Sequence, residues 1–184
     1  LAPSQAMFVV FRRPASKVGN ATVASVRRRP LEVKEWNVHY NTLNTDETVT
    51  ELRSWTRSSD PKVRYYSGTA VYSTEFKWKA GKSERGSRVF LKFKGLSDVA
   101  TVRVNGVPCG TAWTAPYEVE VTSALKKGKN TLEIEVTNTW ANALLGVDEG
   151  KAPFDGIWTN ARFRMAEKEL LPAGLTAPLE WKLV

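Results

Sequence analysis

The chain has 184 residues, 42% of them hydrophobic and 25% charged, with 27 basic and 19 acidic side chains, one cysteine and one histidine, and a formal charge of +8. That length suits one domain with a real core and is too short for a (β/α)8 barrel. The lone Cys109 excludes an internal disulfide or a cysteine-based zinc site, the lone His39 leaves no nucleophile–base pair, and no run of 18 apolar residues exists to cross a membrane as a helix, so no membrane partner is expected.

The charge is unevenly placed. Seven basic residues and one acidic residue fall between Leu1 and Lys34, so this stretch, with Arg27-Arg28-Arg29, holds six of the eight net charges. A nucleic-acid binder built on a basic sheet or helix would carry its charge in the body of the fold. Residues 1–30 are therefore read as an extended, solvated lead-in, the end of a preceding domain or a linker, and residues 31–184 as the folded module. Asn20-Ala-Thr22 fits a glycosylation sequon, a pattern too common to imply a secretory context.

From Leu31 onward the hydrophobic period is two. Trp36, Val38 and Tyr40 alternate with polar neighbours, as do Ala70, Tyr72, Phe76 and Trp78, and then Val89, Leu91 and Phe93. Val102 and Val104 meet Val107 across Asn105-Gly106, the pair that accepts φ > 0 at both centres of a type I′ turn, which predicts a tight hairpin. Tyr117, Val119 and Val121, then Leu132, Ile134 and Val136, follow on either side of a turn at Gly128. Gly156–Phe163 and Leu179–Val184 are the last strand candidates. Eight or more strands without a long amphipathic helix predict an all-β jelly-roll sandwich. Cys109 and His39 are expected as structural strand residues.

Two segments break this rhythm. The stretch around Trp55 and Tyr65-Tyr66 reads as a covering loop with a short helical turn. Asn138 to Gly156 is longer than joining two strands requires, and is expected to project from one end of the sandwich, to be more mobile than the strands and to be dispensable for stability. It concentrates Trp140, Asn142, Asp148, Glu149 and Asp155. Loop carboxylates can bind sugar hydroxyls or calcium, but their spacing fits no calcium-loop signature, and no cofactor or metal is expected. Trp36, Trp78 and Trp181 sit at core positions, whereas Trp113, Trp140 and Trp158 flank turns, where an indole face can stack on a pyranose ring. Glu118, Glu120, Glu133 and Glu135 fall on outward positions, balanced by Lys92, Lys94 and Arg103, so they form a solvated stripe and not a pair of facing glycosidase acids.

The run "VFLKFKGLSDVATVRVNGVPCGTAWTAPYEVEVTSALKKGKNTLEIEVTN" followed by "DGIW" resembles the galactose-binding-like jelly roll of family 2 glycoside hydrolases. With "EWNVHYN", "SWTRSSDPKVRYYSGTAVYSTEF" and "TNTWANALLG", it is closer still to the C-terminal β-sandwich of glycoside hydrolase family 106, the α-L-rhamnosidases. The resemblance implies a non-catalytic ancillary module, since the catalytic carboxylates of such enzymes lie on a separate barrel domain. It further implies an exported parent (periplasmic or extracellular), with the parent's catalytic domain and carbohydrate, including rhamnose-containing polysaccharide, as partners. Two alternatives stand beside it, an independent carbohydrate-binding module for plant or host glycans and a basic nucleic-acid- or anionic-surface-binding β domain.

Overall fold

The computed structural model describes residues 6–8, 10, 12, 25–81, 84, 86–160 and 169–184. Ten strands run in the order β1 (Arg27–Pro30), β2 (Trp36–Tyr40), β3 (Thr45–Val49), β4 (Thr69–Trp78), β5 (Val89–Lys92), β6 (Val99–Val104), β7 (Val107–Ala112), β8 (Glu118–Glu120), β9 (Gly128–Thr137) and β10 (Glu180–Leu183). Two short helices, α1 (Pro61–Arg64) and α2 (Ala141–Asp148), interrupt them. All pairings are antiparallel, in a four-stranded sheet β1-β10-β5-β8 and a six-stranded sheet β3-β2-β4-β9-β6-β7. This is the two-layer all-β jelly roll that the alternation predicts.

The inner faces meet as the period of two requires. Val38, Tyr40, Ala70, Tyr72, Val102, Val104, Leu132, Ile134 and Val136 from the larger sheet face Val89, Leu91, Val119, Trp181 and Leu183 from the smaller one, all buried. Trp181 packs against Phe76 and Trp78 with ring centroids 5.2 Å apart in both cases. At the predicted hairpin Asn105 and Gly106 both take positive φ, 53° and 76°, and the Asn105 side chain donates to Ala124 O at 2.8 Å and accepts from Thr131 N at 3.1 Å. The stretch around Trp55 folds as a 3-10 turn followed by α1, capped by the Asp60 carboxylate at Lys62 N, 2.9 Å.

Four readings change. Arg27–Pro30 is not lead-in: it is the edge strand β1, paired with β10. Its basic residues are built into the sandwich, with Arg29 stacked over Trp78 at 4.3 Å and Arg28 joining Lys92 and Lys94 around Glu180 at 4.0, 3.8 and 2.9 Å. Lys92 and Lys94 therefore balance Glu180, whereas Glu118 and Glu120 are held by Lys182 and Arg88 at 2.7 and 2.6 Å, and Glu133 and Glu135 by Arg103. Strand β3, polar and half exposed, had no apolar period to betray it. Residues 156–160 form no strand, and the rest of the predicted Gly156–Phe163 strand lies outside the described residues, as does Asn20-Ala-Thr22. Cys109 is partly exposed, its thiol facing Val107 O at 3.3 Å on β7, an edge strand of the larger sheet, and His39 pairs across strands with Asp46 at 2.9 Å.

Candidate functional site

Register places one end of the six-stranded sheet at the row Tyr40, Ala70, Val136, Ala100 and Ala112, which face one another across β2, β4, β9, β6 and β7. The segments leaving that row carry Trp113, Asn138, Trp140 and Asp98, so residues far apart in sequence gather at one end. Asn138 fixes the departure of the long segment: its Oδ1 accepts from Gly68 N at 2.8 Å and its Nδ2 donates to Tyr66 O at 2.9 Å.

The segment 138–156 is not a projecting loop. Its alanines and leucines, good helix formers, build α2, which ends in a Schellman motif at Gly150 (φ 68°). There Lys151 N donates to Gly146 O at 2.6 Å and Gly150 N to Val147 O at 3.1 Å. Ala143, Leu145 and Pro153 are buried. Gly146 lies so close to Tyr65 that a β-carbon there would come within 3.0 Å of the ring.

This packing sorts the predicted site residues. Asn142 is buried and its amide is engaged at both ends: Nδ2 donates to Leu171 O and Oδ1 accepts from Leu171 N, both at 2.8 Å. From this buried position it clasps the incoming chain. Glu149, exposed at the helix end, accepts from the Tyr65 hydroxyl at 2.7 Å and from Lys151 Nζ at 2.9 Å. The hydroxyl above all, then the ammonium, holds its carboxyl below the usual range. Asp148 and Asp155 are exposed to solvent.

Trp113, Trp140 and Trp158 are 71%, 57% and 75% exposed. Trp140 meets Phe154 edge to face at 6.1 Å, Phe154 meets Tyr66 at 6.4 Å, and Tyr66 meets Tyr40 and Trp55 at 5.3 and 5.5 Å. A relay of rings thus anchors the exposed indole to the core. Trp158 follows four residues after Phe154.

Beneath this end lies a polar cluster that the sequence reading did not select. The Tyr72 hydroxyl accepts from Trp55 Nε1 at 2.6 Å and from Leu175 N at 3.2 Å, while Gly174 N donates to Asp98 at 2.8 Å. Burial raises the Asp98 pKa from 3.8 to about 6, against the opposing pull of the Gly174 amide. Because the folded value lies above the unfolded one, Asp98 contributes most to stability below pH ~3.8, and that contribution is lost as pH rises through ~6. In Asp98→Asn, which keeps an oxygen for Gly174 N, the melting temperature relative to the parent chain is expected to rise between pH 4 and pH 7. A constant difference across that window in thermal melts would show that Asp98 does not titrate there. Among the described residues no group of three or more His, Cys, Asp or Glu side chains could hold a metal ion.

Residues 38–170 match the family described as the glycosyl hydrolase 2 galactose-binding domain-like domain. A Formosa agariphila protein that carries β-glucuronidase as a provisional name is 35% identical over 148 residues, covering 79% of this chain. The chain spans only 13% of that protein's length. Among solved structures, the rhamnosidase from Novosphingobium sp. PP1Y superposes with a TM-score of 0.80 at 33% identity, over 95% of this chain and 17% of that one. A Bifidobacterium dentium β-glucuronidase, at 19% identity and a TM-score of 0.59 over 89% of this chain and 30% of its own, shares the fold. Of the two resemblances read from the sequence, the family 2 domain is the one that the match describes, and the chain belongs to the glycosyl hydrolase 2 galactose-binding domain-like family.

Proposed function

We propose that this chain is a non-catalytic ancillary module of a glycoside hydrolase and that it scaffolds the parent's catalytic domain through the end of the sandwich bearing Trp113, Trp140 and Trp158. The observation that carries this reading is the exposure of three indoles, one of which, Trp140, heads a helix clasped to the core. Large exposed aromatics on a rigid base suit a surface that another surface covers. The 33% identity to the Novosphingobium rhamnosidase supports a parent of the α-L-rhamnosidase type. The Formosa relative supports the second reading, a parent acting on β-glucuronides. In either parent the reacting carboxylates would lie outside this module, whose four strand glutamates are engaged by Lys182, Arg88 and Arg103.

The test substitutes Trp113, Trp140 and Trp158 together by alanine, both in the 184-residue chain and in the full parent protein. The isolated chain is expected to melt within a few degrees of its unsubstituted form, since exposed side chains contribute roughly 0.5 kcal/mol or less each. The parent is expected to lose several degrees of melting temperature, and activity with it. An unaltered parent, with saturable binding of rhamnose-containing oligosaccharide by the isolated chain that is lost in the triple variant, would instead make this end an independent carbohydrate-binding surface.

A further inference from the structure

At the opposite end of the six-stranded sheet lies a groove of about 990 Å3, created by a mismatch in strand lengths. Strand β4 runs ten residues, but β2 pairs only with its Ala70–Ser73 portion, so Thr74–Trp78 has no neighbour on that side. The crossover from β1 to β2 spans the gap instead of pairing, tied down where the Thr74 hydroxyl donates to Glu35 O at 2.7 Å. Arg29 and Lys34 stand on that wall.

The floor is the outer face of the sheet, and register orders it in three rungs. Asn37, Ser73, Glu133 and Arg103 face one another across β2, β4, β9 and β6; Glu75 faces Thr131; Lys77 faces Lys129. First and last rungs lie about 13 Å apart along the strand. The last rung sets two lysines on facing positions of neighbouring strands, and the one nearby carboxylate answers only one of the two charges. Glu75 reaches Lys129 at 2.8 Å, and among the described residues no carboxylate pairs with Lys77. The remaining rungs offer an amide and hydroxyls, groups that exchange hydrogen bonds with sugar hydroxyls, and Glu75 and Glu133 repel a continuous polyphosphate.

We propose that this groove is a second binding site, taking a carboxylated oligosaccharide whose acid group seats between Lys77 and Lys129 while its hydroxyls meet Ser73, Thr131 and Asn37. It stands independently of the tryptophan-bearing end. The experiment is calorimetric titration of the 184-residue chain with an oligosaccharide carrying a single uronic acid, glucuronosyl-xylotriose, and with its carboxyl-reduced counterpart. Saturable binding of the acid alone is expected, weakening as salt is raised, with a loss of about tenfold or more in Lys77→Gln/Lys129→Gln, the scale of one charge-assisted contact, and no change in Trp140→Ala. Both substitutions sit on an exposed face, and a melt of each variant checks that the fold persists. Equal affinity for the reduced oligosaccharide, binding untouched by the lysine substitutions, or no saturation by about 10 mM would overturn the proposal. So would self-association of the chain that the lysine variant abolishes, which would assign the groove to a second copy.

Discussion

Gly174→Ala is expected to destabilise the fold by about 3 kcal/mol or more. Gly174 has φ 82°, a conformation that costs an L residue, and the added β-carbon would lie 2.7 Å from the Tyr72 hydroxyl and closer still to the Trp55 indole. Neither neighbour can retreat. Trp55 is wedged against Tyr40 and Tyr66 at 5.7 and 5.5 Å, and Tyr72 accepts two hydrogen bonds where it stands. For a domain of this size the loss corresponds to a drop in melting temperature of roughly 10 °C. Urea denaturation would measure it, with Gly106→Ala as a comparison, since a β-carbon there meets nothing within 4 Å while φ is again positive, 76°. Equal losses in the two variants would mean that backbone strain alone, and not the packing around Trp55 and Tyr72, governs the site.

Replacing residues 138–156 by a four-residue turn is expected to abolish cooperative unfolding. The segment carries buried Asn142, Ala143, Leu145 and Pro153, and truncating one buried leucine alone costs about 2–5 kcal/mol. Its removal also exposes Tyr66, unpairs Leu171 and deprives Gly68 of its partner Asn138. Together these losses rival the roughly 5–15 kcal/mol total stability of a domain. Trp158→Ala, by contrast, should leave the transition in place. A shortened chain melting cooperatively at the original temperature would restore this segment to the dispensable loop that its length and polarity first suggested.

The two substitutions draw on features of different legibility. Gly150 after an alanine- and leucine-rich stretch is a helix stop signal, and together with "ANALLGVD" it was enough to find α2. Reading the segment for its polar side chains hid that signal. Nothing local marks Gly174: its constraint comes from Trp55 and Tyr72, more than a hundred positions away. The same holds for Asp98, whose raised pKa arises from burial beneath the chain at Gly174 and Leu175.

Among the candidate site residues, the exposure of Trp113, Trp140 and Trp158 was legible because a large aromatic at a turn has no inward strand position to occupy. The burial of Asn142 was not legible, because an asparagine in an irregular stretch looks like a binding group until its partner is known. Here that partner is the backbone of Leu171, which engages both ends of the amide.

By itself the sequence determined the two-faced strands and the tight hairpin at Asn105-Gly106. Side-chain alternation and the demand for positive φ are properties of neighbouring residues, and any compact arrangement must respect them. Only the tertiary structure decided which strands are neighbours, that Arg27–Pro30 closes the smaller sheet against β10, that the long segment is core and not loop, and that a charged groove opens where β4 outruns β2. Those outcomes depend on the relative lengths and registers of strands distant in sequence, and on which backbone groups find partners across the fold. Such long-range pairing leaves no periodic trace in the chain.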